Sequence, residues 1–323
     1  MKRKRLLLIV NPISGTRDKA KLVPQLEAKL SEKNFEVVTR YTTAKGDASE
    51  YARYAVTERY DAVAACGGDG TVNETARALC GTDMPMAIIP SGSGNGLARH
   101  IGLTIDELAA VDIIDFDNVC ECDYGEVNGD RFFTTFGLGF DAAVAKKFSE
   151  ESTRGKTTYI KDAFIEFAKY RPQEYTVMVE GVSSFDVKAY LIAVCNASQY
   201  GNNAYIAPQA SITDGVLDVI IMKDAPHFQT LLAGIDMLTG CLPNNKQIDI
   251  IRCGRVNITP KSRDCHVHLD GDPYPVADNY EVSIFPGQLR LFVNPKRKKF
   301  TPFITPIDSM VKDLSVNLSR LFE

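Results

Sequence analysis

The chain has 323 residues, a length of about two domains, and its 45% hydrophobic and 24% charged content is the balance of a folded soluble protein. That balance excludes a disordered chain, a disulfide miniprotein and a collagen-like fibre. Lys+Arg 37 against Asp+Glu 41 gives a net charge of −4, without the broad basic field of a nucleic-acid binder.

Taken in chain order, Lys2–Arg5 followed by Leu6–Val10 imitates the start of a signal peptide, but the apolar run stops at Asn11-Pro12. Five residues are too few for an h-region, so a buried first strand is expected. A helix with Leu22, Leu26 and Leu30 on one face comes next, then a strand over Phe35–Tyr41. Gly46-Asp47 opens a helix carrying Ala48, Tyr51, Ala52 and Ala55. Ala62–Cys66 reads as a strand before a helix over Thr71–Leu79, and Met86–Ile89 as a strand before a helix over Asn95–Ile101. Strands alternating with helices at this spacing predict a parallel sheet, with ligands bound beyond the carboxyl ends of its strands.

From about Val119 the texture changes. Strands are expected over Cys122–Val127, Arg131–Phe136, Tyr175–Glu180, Val187–Val194, Val216–Met222, Ile248–Arg252, Val256–Thr259, His266–Leu269 and Tyr280–Phe285. Only Tyr159–Tyr170 and Phe228–Cys241 have the pattern of substantial helices. The fold class is therefore α/β, with an N-terminal parallel-sheet domain, a mostly antiparallel β-rich second domain and a cleft between them. The first domain is expected over residues 1–118, rejoined by the tail 294–323, and the second over 119–293. In the tail, Leu289–Val293 reads as a strand and Lys296–Lys299 is basic. Ile307–Phe322 is amphipathic, with Ile307, Met310, Val311, Leu314, Leu318 and Leu321 on one face. Most such stripes serve a core, so this one is expected to pack against the first domain. No segment approaches the ~20 apolar residues of a membrane span. The eight cysteines form no CxxC pair and suit structural thiols in a reducing cytoplasm. The four histidines lack a ligand-like grouping and are expected to be structural.

Two glycine-rich loops end predicted strands and open predicted helices: Gly67-Gly68-Asp69-Gly70-Thr71, and Pro90–Arg99 with Gly92-Ser93-Gly94-Asn95-Gly96. Glycines let backbone amides approach a phosphate, and the helix N-terminus behind adds positive potential. One such loop is often a plain turn; two on neighbouring strands favour a phosphate ligand. Walker A fails because position 150 is Glu151's neighbour Glu150 rather than glycine before Gly155-Lys156-Thr157, and the Rossmann pattern fails because position 97 is Leu97. Asp69 is the distinguishing feature: an acid facing a polyphosphate suits holding a cation or taking a proton.

Gly67–Thr71 with Asn73-Glu74 resembles the diacylglycerol-kinase catalytic domain of bacterial lipid kinases and sphingosine kinases, and more distantly NAD kinases and phosphofructokinases. Asn11-Pro12-Ile13-Ser14-Gly15, Pro90–Arg99, Asp214-Gly215-Val216-Leu217-Asp218 and Leu269-Asp270-Gly271-Asp272 are similar to that family in the same order, from residue 11 to about 295. Two departures stand out. Gly92-Ser93-Gly94 is closer to sphingosine and long-chain-base kinases, and Asp270-Gly271-Asp272 is one methylene shorter than the family's Asp-Gly-Glu.

The resemblance implies ATP in the cleft. Asn11, Ser14, Gly15 and Thr42 would approach the nucleotide, and Gly67, Gly68, Gly70 and Thr71 would cradle the triphosphate. Asn73 and Glu74 would brace the loop, and Ser93 would bond a phosphate. Phosphoryl transfer asks mainly for positioning and charge, with Mg²⁺ bridging phosphate oxygens. Asp272 is the first choice for proton acceptor, with Asp69 the other candidate. A structural Mg²⁺ is implied at Asp214, with carbonyls near Ser211 and Val216; a plain turn before the next strand is the competing reading. Asp141, Arg154 and Lys156 would meet the lipid head group or its phosphate, a solvated surface being the alternative. The function expected is an ATP- and Mg²⁺-dependent lipid kinase of phospholipid metabolism, cytoplasmic and peripheral at the membrane while acting. Its partner is a lipid alcohol (diacylglycerol, a sphingoid base or a relative), with no nucleic acid and no transmembrane segment, and with room for a homo-oligomer. An NAD kinase or other small-molecule kinase, and a non-catalytic lipid- or nucleotide-binding module, are the alternatives.

Overall fold

A computed structural model describes residues 3–143, 170–181 and 184–320. Strand β1 (Lys4–Val10) buries Leu6 through Val10 completely because it lies inside a sheet covered on both faces. It pairs in parallel with β2 (Phe35–Tyr41) on one side and β3 (Ala62–Gly67) on the other; β3 pairs in turn with β4 (Met86–Pro90). Alternation along β1 decides the layers. Leu6, Leu8 and Val10 meet Leu22, Leu26 and Leu30 of α1 (Lys19–Glu32), while Leu7 and Ile9 meet Ala48, Ala52 and Ala55 of α2 (Asp47–Thr57). Helices α3 (Asp69–Leu79), α4 (Gly96–His100) and α5 (Glu107–Asp112) complete this part. In the order β2-β1-β3-β4 the direction of winding reverses at β1, so the loops after β1 and β3 flank the ligand-binding crevice of such sheets.

The second part is antiparallel, as expected. It comprises β5 (Val119–Val127), β6 (Asp130–Phe132), β7 (Thr135–Gly139), β8 (Gln173–Val179), β9 (Phe185–Cys195), β10 (Leu217–Lys223), β11 (Ile248–Cys253), β12 (Arg255–Pro260), β13 (Val267–Leu269), β14 (Asp272–Pro273) and β15 (Tyr280–Phe292), and the helix α6 (His227–Thr239). The strand expected over Arg131–Phe136 is broken in two. The Asp270 carboxylate accepts the N–H groups of Phe133, Thr134 and Thr135, the closest at 2.8 Å, and the Thr134 hydroxyl at 2.6 Å. A side chain distant in sequence thus takes the amides that would have continued a ladder. Conversely, the strands expected over Tyr280–Phe285 and Leu289–Val293 are one strand with a register shift between them. β15 pairs antiparallel with β5 and β12, and its Leu291 lies parallel beside Met86 of β4, so both parts share one hydrogen-bonded network.

The tail forms α7 (Ile304–Ser319), and its orientation overturns the expectation from its stripe. Ile307 is 58% exposed and Leu314 60%, while Asp313 is buried in an ion pair of 2.8 Å with Arg99. Periodicity says which residues share a face, not which face is docked; a buried salt bridge on the polar side decides it. Leu321 and the Tyr159–Tyr170 helix, Tyr170 excepted, lie outside the described residues, as do Arg154 and Lys156. Among the described residues no helix is long and apolar enough to cross a membrane.

Candidate active site

The crevice is built from three loops, and their glycines explain how closely they approach. The helix α3 begins at Asp69 rather than at Thr71, which leaves Gly68 alone between β3 and α3. A Cβ on Gly92 would stand 2.5 Å from the Cα of Gly68, and one on Gly15, which has φ +66°, 2.7 Å from the Ser91 carbonyl oxygen. Backbone therefore packs on backbone where side chains cannot fit.

Polar bonds fasten these loops. Asn11 donates from Nδ2 to Thr71 Oγ1 at 3.2 Å across the crevice, and the Ser14 hydroxyl donates back to the Asn11 carbonyl at 2.9 Å. Beneath them Lys19, buried at the start of α1, donates to the Ser14 carbonyl and to Ser91 Oγ, both at 2.7 Å. The Ser91 hydroxyl in turn donates to Glu107 Oε1 at 3.2 Å. Lys19 and Glu107 were not singled out in the sequence. A lysine one residue past a helix cap and an acid at a helix start both look like solvated ends there.

The two helix N-termini at the crevice are in opposite states. Helix α4 receives the Asp69 carboxylate, which accepts the Asn95 and Gly96 N–H groups at 2.8 Å each. Burial pushes the Asp69 pKa up against the pull of those amides, and the charge of Asp270 adds to the rise. Helix α3 has Gly68 at its cap with no side chain capping it. The Gly70 and Thr71 amides of its first turn have no acceptor among the described residues, and the side of Gly70 is open, an added Cβ there meeting nothing within 4 Å. An anion fits there, and the α4 terminus already holds one. Ser93 is exposed at the tip of the second loop, and Thr42 sits at the end of β2 with its N–H bonded to the Val10 carbonyl. Asn73 is buried; Glu74 accepts the Gly46 N–H at 3.0 Å and so braces α2 rather than the phosphate loop.

From the second part, Asp272 stands on β14 with its carboxylate exposed and, among the described residues, without a hydrogen-bond or ion-pair partner. Its loop is held from behind. Gly271 donates its N–H to His268 Nδ1 at 3.2 Å, so His268 Nε2 carries the proton facing Asp141 Oδ2 at 3.1 Å; Asp141 also accepts the Tyr200 hydroxyl at 2.7 Å. Asp141 is thus part of the scaffold behind the acid loop, its side chain only 8% exposed, rather than an open head-group contact.

At the expected metal site, the Asp214 carboxylate is engaged by the Arg252 guanidinium and by the Val216 N–H, and Ser211 Oγ lies 3.1 Å from Thr213 Oγ1. Among the described residues no three His, Cys, Asp or Glu side chains gather as a metal cage. The donor set as arranged does not fit a cation, since a guanidinium fills the carboxylate. Two acids of this region are buried: Asp218, which accepts Arg252 Nε at 3.1 Å, and Asp123, which accepts the Gly215 and Gly287 N–H groups at 2.8 Å each and ties the Asp214 turn to β15.

With this geometry in view, comparison with known proteins is specific. The family description "Diacylglycerol kinase catalytic domain" matches residues 5–127, and "YegS C-terminal NAD kinase beta sandwich-like domain" matches residues 134–293. A diacylglycerol kinase of Mycobacterium tuberculosis is 28% identical over 293 residues, covering 88% of this chain and 93% of its own. One of Bacillus subtilis is 28% identical over 278 residues, covering 83% and 90%. A diacylglycerol kinase structure from Bacillus anthracis superposes with a TM-score of 0.72 at 21% identity, over 91% of this chain and 98% of that one. An ATP-complexed NAD kinase of Archaeoglobus fulgidus shares the fold more distantly, with a TM-score of 0.52 at 13% identity over 96% and 99%.

Proposed function

Since the chain belongs to the diacylglycerol kinase catalytic-domain family, we propose that it transfers the γ-phosphoryl group of ATP to the hydroxyl of a membrane lipid. Family membership makes it a phosphotransferase. The observation that carries it is the open N-terminus of α3 at the crevice, with the loop that bears Asp272 close enough for the charge of Asp270 to act on Asp69.

In this reading the α3 amides with Gly67, Gly68, Gly70 and Thr71 hold the triphosphate, and Ser93 donates to it from the second loop. Asn11, Ser14, Gly15 and Thr42 lie toward the nucleotide. Asp69 holds the two glycine loops in register, so that the amides are aligned before substrate arrives. The lipid oxygen bonds to the γ-phosphorus as its proton passes to Asp272, and the bond to the leaving ADP oxygen breaks. Magnesium would come with the nucleotide as its counter-ion and would neutralise charge on the transferring phosphoryl group.

Incubation with labelled ATP, magnesium and a panel of diacylglycerol, sphingoid bases and NAD⁺ tests this directly. Label in a lipid product is expected. Label in NAD⁺ and in no lipid would overturn the assignment.

A further inference from the structure

The apolar face of α7 has a use that the core does not make of it. Ile304, Ile307, Met310, Val311, Leu314 and Leu318 are between 45% and 67% exposed. At about 100° per residue they fall within an arc of roughly 120°. On the opposite side, Ser309 donates to Asn203 Oδ1 at 2.7 Å, and Asp313 pairs with Arg99 in a buried contact. Arg320, just past the helix, reaches the Ile105 carbonyl at 2.6 Å. The helix is therefore pinned by its polar side with its apolar side outward, the reverse of a core helix.

The exposed surface continues beyond α7. Phe303 is 57% exposed and its N–H donates to the Thr239 carbonyl at the end of α6 at 2.9 Å; Leu232, Ile235 and Leu238 of α6 are 40–52% exposed. Monomeric proteins seldom leave so many neighbouring large apolar side chains in water without a partner. The charge beside this ridge identifies the partner. Lys296, Lys298 and Lys299 are exposed just before α7, and Lys298 is near enough to act on Asp308 in its first turns. The whole chain carries −4, yet this edge is basic. On α7 the exposed charges Asp308 and Lys312 neutralise each other at 2.7 Å.

We infer that the α6–α7 ridge is a membrane-docking surface that lies in the interface of an anionic bilayer, its apolar stripe among the acyl chains and its lysines at the head groups. The inference rests on the lipid-kinase reading for its motive but on the exposed ridge for its substance. It also connects docking to the crevice, because Arg99, which holds Asp313, donates from Nε to the Gly94 carbonyl of the second glycine loop at 3.1 Å.

The test is co-sedimentation, without ATP, with vesicles of phosphatidylcholine alone and of phosphatidylcholine with phosphatidylserine. Val311→Gln/Leu314→Gln/Leu318→Gln should weaken binding to the anionic vesicles at least about tenfold, while thermal stability and activity on detergent-dispersed lipid stay within about twofold of wild type. Lys296→Gln/Lys298→Gln/Lys299→Gln should weaken binding about a hundredfold on anionic vesicles at low salt and leave neutral vesicles unaffected. Unchanged vesicle binding by the glutamine triple variant overturns the inference, and if that variant is a monomer where wild type is a dimer, the ridge is a self-interface instead. Ridge-dependent vesicle binding by a protein that phosphorylates no lipid leaves the docking surface standing and removes only the proposed function.

Discussion

Asp69 and Asp272 are the same residue type in two glycine-containing loops from the two parts of the fold, yet they stand in opposite environments. Asp69 has both carboxylate oxygens taken by the amides of α4 and is desolvated; Asp272 is exposed on a two-residue strand with no partner among the described residues. The difference teaches that an acid inside a glycine motif can itself be the ligand of a helix terminus. Its two oxygens then align the loop, and the proposed role of proton acceptor passes to the second acid.

The largest expected effect falls on Asp272. Asp272→Asn should lower turnover about 10²–10⁴-fold, the usual worth of a positioned proton acceptor, with an unchanged thermal midpoint because no described residue bonds that carboxylate. Steady-state kinetics beside a melting curve would show it, and near-normal turnover would end the comparison.

Asp69→Asn should give the complementary result. An asparagine can accept one of the two amides but turns its own NH₂ toward the other, so a loss of about 1–3 kcal/mol is expected for the unpaired donor. Chemical denaturation should register that loss, with activity falling in step with loop order. A variant as stable as wild type but catalytically dead would return Asp69 to the chemistry.

A smaller effect separates desolvation from hydrogen bonding. Asp47 also accepts backbone amides, from Thr43 at 2.7 Å and Ala44 at 2.9 Å, together with the Thr43 hydroxyl, but it is open to water. Those bonds lower its pKa, whereas burial raises that of Asp69. A depressed folded pKa contributes stability above the unfolded value that is lost as pH falls through the folded one. The stability gap between wild type and Asp47→Asn should therefore be present at neutral pH and close in acid. A gap independent of pH would detach it from this titration.

The smallest expected difference concerns Asp214. With Arg252 on its carboxylate, wild type and Asp214→Ala should show the same magnesium dependence of thermal stability. A magnesium response lost only in the variant would mean that a cation displaces the guanidinium.

The sequence alone determined a great deal where the signal is local. A fully apolar pentad in β1, leucines four apart in α1 and glycines after two strands carry their own geometry, because strand and helix periods and the glycine φ range are properties of a few neighbouring residues. The ordered motifs, through their resemblance to a family, likewise singled out Gly67–Thr71, Pro90–Arg99 and Asp270–Asp272, and the first two of these loops do pack on each other. What only the tertiary structure decided lies wherever a group chooses between distant partners. Asp270 cut one strand into two by taking the amides of Phe133–Thr135, and β15 fused two expected strands by pairing with both β5 and β4. Asp69 became a brace, Asp141 an anchor behind His268, and α7 turned its stripe outward because Asp313 found Arg99. Hydrophobic period is written along the chain, but a carboxylate is satisfied by whichever donor the fold carries to it, and that donor can lie two hundred residues away.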